Sequence, residues 1–175
     1  MFIYKIKPKV INCRYDAHRI VSSMFNKSIY NIDELGNINV RTSEVTYNKP
    51  YDDSEVISVC DCGENIVKNL EQYMFNIDVY AQCIIDNKFY FVPKEKVTDW
   101  MKNKLELSGF EVLDINKHFL GCENIQITKG RFLPTPINRF VGVLKVVNQI
   151  NANEALLKGF GKRKHLGLGL LELIR

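Results

Sequence analysis

Histidine and tryptophan are scarce in this chain of 175 residues, with three of the former and one of the latter, and no apolar run is long enough to cross a bilayer. The opening Met1-Phe-Ile-Tyr-Lys-Ile-Lys-Pro-Lys alternates like an edge strand. It has neither the continuous apolar core nor the small-residue cleavage site of a secretory leader, so the expectation is a cytoplasmic protein with no membrane partner. The five cysteines (13, 60, 62, 83 and 122) are odd in number and irregularly spaced. Cys60-Asp-Cys62 lacks the spacing of common zinc sites, so reduced thiols are expected rather than a metal or a disulfide framework. A carboxylate cluster able to hold magnesium is also missing from the first helix, where Asp16 stands alone. No metal and no cofactor are therefore expected.

Four glycines (159, 161, 167 and 169) do occur together near the C-terminus, around Lys162, Arg163, Lys164 and His165. In mononucleotide and dinucleotide sites a glycine loop follows a strand and opens a helix. Here the order is reversed, with a helix read over Asn153–Lys158 and a strand over Leu168–Ile174. That order excludes a mononucleotide site and favours a loop whose backbone amides and cations track a phosphate-rich polymer.

Charge is segregated beneath a net value of +4. Residues 129–175 carry nine Lys/Arg against two acids, residues 1–19 five against one, and residues 20–128 ten against seventeen. Two basic ends around an acidic middle are expected to converge on one electropositive surface.

Periodicity supplies the elements. Phe2–Lys7 reads as a strand and Arg14–Phe25 as an amphipathic helix with Ala17, Ile20, Val21 and Met24 on one face. A hairpin is predicted around Gly36-Asn37, a strand over Glu55–Cys60, a helical turn over Glu64–Leu70 and a long strand over Tyr73–Ile85. A second unit is placed from Asn87-Lys88, with a strand over Phe89–Val92. The helix Lys94–Leu107 follows, with a stripe of Val97, Trp100, Met101 and Leu105, then a strand over Phe110–Ile115. A hairpin of Ile125–Phe132 and Phe140–Val147 is predicted, with Pro134-Thr-Pro136 at its tip. Each half then reads as β-α-β-β-(α)-β, which predicts an α+β chain of two tandem ferredoxin-like domains, 1–86 and 87–175.

If the apolar stripe of the first helix faces the core, Tyr15, His18 and Arg19 lie on or near its opposite side. An imidazole near its ordinary pKa moves protons close to neutrality, a phenol can hydrogen-bond a reacting group, and a guanidinium can hold phosphate. That set suits RNA backbone cleavage by the neighbouring 2′-hydroxyl. His165, in the glycine loop, reads equally as one more polar residue facing RNA and as a second catalytic group. Lys129, Arg131 and Arg139 add cations to the hairpin of the second half, read either as a solvated tip or as a β-ribbon along an RNA groove.

Three segments, in this order, carry a family resemblance: Tyr15-x-x-His18-Arg19 after the first strand, Trp100…Leu105…Gly109-Phe110, and Gly159-Phe-Gly161-Lys-x-Lys164-x-Leu-Gly167-Leu-Gly169-Leu-Leu. With them the chain resembles the CRISPR-associated RAMP endoribonucleases, and most of all the Cascade-type (type I-E) enzymes that process precursor CRISPR RNA. The resemblance implies a CRISPR repeat RNA, usually a stem-loop, as substrate, and metal-independent cleavage that leaves a 5′-hydroxyl and a 2′,3′-cyclic or 3′-phosphate. It also implies that the mature crRNA is retained and that other Cascade subunits are partners. Carried over, His18 is the proton-transfer residue and Tyr15 its helper. Gly159, Gly161, Gly167 and Gly169 contact RNA or stabilise the strand that does, and Lys129, Arg131 and Arg139 grip the stem. His165 and Arg163 depart from the family, which often has neutral residues at those loop positions. A non-cleaving RAMP subunit that only binds RNA, and a scaffold for an acidic protein, are the alternative readings.

Overall fold

In the computed structural model, which describes residues 1–63, 66–128 and 130–174, two four-stranded antiparallel sheets lie in one chain. The first sheet has the order β2-β3-β1-β4, built from β1 (Phe2–Lys7), β2 (Ser28–Ile32), β3 (Ile38–Thr42) and β4 (Glu55–Asp61). Helix α1 (Arg14–Met24) covers one face of it and buries Ala17, Ile20, Val21 and Met24, as the periodicity requires. The place of a second helix is taken by the 43–54 loop, whose Tyr47 ring packs on Tyr4 (5.6 Å) and Phe25 (6.1 Å). The Tyr4 hydroxyl pins this loop by donating to the Val45 carbonyl at 2.7 Å.

The second sheet has the order β10-β5-β9-β8. Its members are β5 (Gln72–Val79), β8 (Phe110–Thr128), β9 (Arg131–Val146) and β10 (Glu172–Ile174), with helices α2 (Val97–Leu107) and α3 (Gln149–Lys158) between them. Taken in chain order, β5-α2-β8-β9-α3-β10 is a full ferredoxin-like unit, and both helices contribute to the core under this sheet. The α+β, twice ferredoxin-like architecture is thus as expected, with a reduced first unit.

The passage between the units differs from the expectation of 1–86 and 87–175. β5 buries Tyr73, Phe75, Ile77 and Val79 by strict alternation and pairs on both sides, with β9 and β10, so it opens the second sheet. Asn87-Lys88, read as the start of the second unit, is part of a separate hairpin inserted before α2, β6 (Gln82–Ile85) and β7 (Lys88–Phe91). Its two turn residues, Asp86 (φ 49°) and Asn87 (φ 60°), are both left-handed, the geometry that matches the twist of a two-residue hairpin loop. We accordingly place the division of the chain between Asp61 and Gln72. The helical turn predicted over Glu64–Leu70 falls partly outside the described residues; residues 66–70 form bends and a turn.

The second hairpin is also differently built. β8 and β9 are paired along almost their whole length, and the turn lies beside Gly130, not at Pro134-Thr-Pro136. Pro134 and Pro136 face Asn124 and Cys122 inside the ladder. Beyond Asn138 the other edge of β9 has no strand beside it, because its pairing with β5 ends there. An open edge tolerates proline, since the missing N–H is one that would have pointed to solvent. α3 begins four residues earlier than predicted, capped by Asn148, whose side chain accepts from the Asn151 amide at 3.1 Å. Residues 168–171 pack as a buried apolar segment and only the last three described residues form strand. No helix among the described residues is long and apolar enough to cross a membrane, and all five cysteines are free.

Arg41 of β3 bolts the units together. It is 5% exposed and donates to the carbonyls of Leu156 at 3.1 Å and Leu171 at 2.9 Å. Burial holds its guanidinium down to about 10. Replacing Arg41 with Met keeps the apolar stem and leaves two buried carbonyls unpaired, so urea unfolding is expected to show a loss of about 2–5 kcal/mol. An unchanged midpoint would show that this arginine does not hold the units together.

Candidate active site

α1 brings Tyr15 and His18 to the same side, with ring centroids 6.1 Å apart. Opposite them stands the loop that follows α3. It leaves the helix at Gly159 (φ 67°), passes Arg163 in the left-handed region (φ 59°), forms a 3₁₀ turn over Lys164–Leu166 and leaves that turn at Gly167 (φ 75°). This path carries His165 to the rim of α1, where its ring lies 5.5 Å from that of His18 at an interplanar angle of 70°.

The turn is held by the first unit. The buried Tyr30 hydroxyl, from β2, donates to the His165 carbonyl at 2.9 Å. Burial keeps that phenol protonated far above its ordinary range, so it is a permanent donor. Arg14, at the start of α1, reaches the Gly167 carbonyl at 3.3 Å and forks onto Glu123 of β8 at 2.8 and 3.2 Å. A Cβ at Gly167 would come within 2.8 Å of the Tyr30 ring, and the positive φ disfavours one in any case.

Three of the four glycine amides are bonded within the chain and so are closed to the phosphate cradle that the sequence predicts. Gly159 N–H donates to Ala155, Gly167 N–H to Lys164 and Gly169 N–H to Asp78, all within the chain. A side chain at Gly169 would collide with the Phe160 carbonyl, so this glycine exists for a close backbone crossing. Gly161 packs on the Tyr80 carbonyl and the Trp100 ring.

The expected cations are likewise unequal. Lys162 is exposed, with its ammonium 5.5 Å from the Phe89 ring, and its backbone bridges to Tyr80. Arg163 stacks on the Tyr80 ring at 4.8 Å. Lys164 turns inward and donates to the Lys158 carbonyl at 2.7 Å, capping α3. Arg139 is tied to Asp78 across the β5–β9 pair by two contacts of 2.8 and 3.0 Å. Both pairings explain the departure from expectation, since a cation satisfied inside the fold has little left for an outside phosphate. Arg131 is exposed beside the hairpin turn, and Lys129 lies outside the described residues. Arg19 is exposed, its guanidinium 4.6 Å over the Tyr51 ring, which leaves the N–H edges open.

Sequence reasoning missed Arg14, Tyr30 and Glu123. Tyr30 reads as an ordinary strand residue, and nothing local says that its hydroxyl crosses to residue 165. Beside the loop is a cleft in which Asp78 and Glu123 are paired with Arg139 and Arg14, with Asp33, Glu34 and Glu172 also in its lining.

Burial lowers both imidazoles below their ordinary 6.5, and His18 and Arg163 lower His165 further. At pH 7 both are neutral and able to accept a proton.

A family model for CRISPR associated proteins matches residues 78–175. No curated protein matches the sequence. Among solved structures, the fold is similar to that of a CRISPR endoribonuclease Cse3 bound to 19 nt RNA (TM-score 0.82, 18% identity, all of both chains). It is similar also to the CRISPR-associated protein Cas6e from Escherichia coli K-12 (0.77, 14%, 99% of both). A chain of a CRISPR RNA-guided surveillance complex matches as well (0.72, 15%, 99% of both).

Titration of the histidine ring resonances by NMR is expected to place His18 and His165 below 6.5. His18→Asn is expected to move His165 upward by removing a like charge. The linked stability has a definite sign. The unfolded chain binds these protons first, so the stability present above pH 6.5 falls as pH drops through the folded pKa values. The double variant His18→Asn, His165→Asn should lose that acid-side decline in denaturation midpoints; retention of the full decline would assign it to other groups.

Proposed function

This chain belongs to the family of CRISPR associated proteins, and we propose that within it the protein is an endoribonuclease that cuts the repeat of a CRISPR precursor RNA without a metal ion. The observation that carries this reading is the position of His18, half-buried and with its pKa lowered by that burial, on the side of α1 that meets the basic turn of the second unit. The chemistry needs a base to take the proton of a 2′-hydroxyl, an acid to supply the leaving 5′-oxygen, and positive charge for the phosphorane. His18 transfers a proton and the Tyr15 phenol hydrogen-bonds a reacting oxygen. The products are a 5′-hydroxyl and a 2′,3′-cyclic phosphate, which can open to a 3′-phosphate.

RNA reaches the site along the exposed cations. Lys162 and Arg19 hold backbone phosphates near the cut, and Arg131, with Lys129, meets a stem along the hairpin. Similar folds occur in an endoribonuclease bound to RNA and in a surveillance complex. These neighbours support a repeat stem-loop as substrate and retention of the crRNA with Cascade-like subunits. The cytoplasm is the compartment we propose.

His18→Ala is expected to slow single-turnover cleavage of a labelled repeat RNA by about 10²–10⁴-fold while RNA binding persists. Tight binding by the wild type with no cleavage would leave the non-cleaving subunit as the correct reading. Lys162→Ala is expected to reduce the slope of log affinity against log salt by about 1. Arg139→Ala is expected instead to lower stability, because its partner Asp78 stays behind unpaired. An unchanged salt slope for Lys162→Ala would remove that residue from the RNA path.

A further inference from the structure

We infer that His165 is the second proton carrier of the cut, and that His18 and His165 divide the base and acid roles across the junction of the two units. This rests on the endoribonuclease reading above and goes beyond it. That reading gives His165 no part in the chemistry.

The geometry is what distinguishes a catalytic group from a contact. The two rings are 5.5 Å apart and nearly perpendicular, and they are fixed by independent backbones. His18 rides on a helix anchored through Ala17, Ile20 and Val21. His165 sits in a 3₁₀ turn clamped through its own carbonyl by Tyr30, with the buried Leu166 next to it and Gly167 closing the turn. His18 is half-buried and His165 exposed, so both present an open rim to one phosphodiester. A residue that merely touches a flexible backbone needs no such clamping; two groups that must meet one phosphate do.

The step balances without any further reagent. One neutral imidazole takes the 2′-hydroxyl proton as the O2′–P bond forms. The other, protonated, gives its proton to O5′ as the P–O5′ bond breaks, and the net change is one proton moved from one histidine to the other. The cut draws on the molecules in which one of the two imidazoles holds a proton, a fraction that grows as pH falls toward their lowered pKa values. Around the pair, Arg14 on α1 is tied to Glu123 of β8, Asp16 lies on the same helix, Tyr30 stands on β2, and Arg163 on the loop holds the proton affinity of His165 down. Two adjacent imidazolium ions would repel each other.

The test uses the full chain and its repeat RNA, natural or with sulfur replacing the bridging 5′-oxygen at the cut. Sulfur leaves without protonation, so it relieves the loss of an acid and not the loss of a base. His165→Gln, at an exposed position and checked for an unchanged unfolding midpoint, is expected to slow single-turnover cleavage at saturating RNA by about 10²–10⁴-fold with affinity retained. The thio substrate is expected to restore one of the two variants, His18→Gln or His165→Gln, and not the other. The wild-type pH profile should be bell-shaped, each variant losing one limb. If His165→Gln weakens binding and leaves the saturated rate unchanged, or if sulfur rescues both variants or neither, the division of roles is wrong. Failure of the wild type to cut would instead overturn the function itself, so the two failures are distinct.

Discussion

The hydrogen bond from the Tyr30 hydroxyl to the His165 carbonyl is the contact on which the rest of the site depends. It reaches from β2 of the first sheet to the turn that ends the second, and it is made by a phenol that burial keeps protonated. Three other features are there to let it form. Gly167 must lack a side chain so that the turn can lie against the Tyr30 ring. Arg14 must hold the Gly167 carbonyl and Glu123 together. The leucines at 166, 168, 170 and 171 must bury themselves so that the intervening backbone is drawn inward. With these in place, an imidazole from each unit meets the other at a defined distance.

The electropositive surface implied by the charged termini is smaller than the count of cations. Arg14, Arg41, Arg139 and Lys164 all spend their hydrogen bonds inside the protein, three of them on backbone carbonyls that a helix end or an irregular segment leaves unpaired. Charge-assisted bonds of this kind contribute roughly 1.5–3 kcal/mol each, more than an exposed ion pair. Arg14 and Arg41 thereby join the two units, whereas Arg139 and Lys164 brace the second unit itself. Lys162, Arg19 and Arg131 are the described cations left facing outward from the set expected to bind RNA.

Legibility in the sequence followed the range of the forces concerned. The stripe of Ala17, Ile20, Val21 and Met24 is a local period, so the helix and the side on which His18 lies could be read before any fold was known. β5 was legible as a strand but not as the opening of the second sheet, because its partners lie 59–73 and 96–100 residues away in sequence. Asp86-Asn87 looked like a boundary, since turn residues mark a hairpin and a domain join in the same way. Pro134 and Pro136 looked like a tip, although an unpaired edge accommodates both inside a strand. The glycines were read as phosphate ligands, whereas the amides of Gly159, Gly167 and Gly169 are bonded to α3, to the turn itself and to β5.

Residue types and their spacing determined that this chain is α+β, that His18 stands off the apolar face of its helix, and that residues 159–167 form a basic, glycine-bearing loop. Each of those follows from torsional preference and helical period, which act over a few residues. Tertiary structure alone decided that Tyr30 should hold residue 165, that Arg139 and Lys164 should turn inward, and that His165 should face His18. Those outcomes depend on which carbonyls burial leaves without water, and that is known only when both sheets have packed.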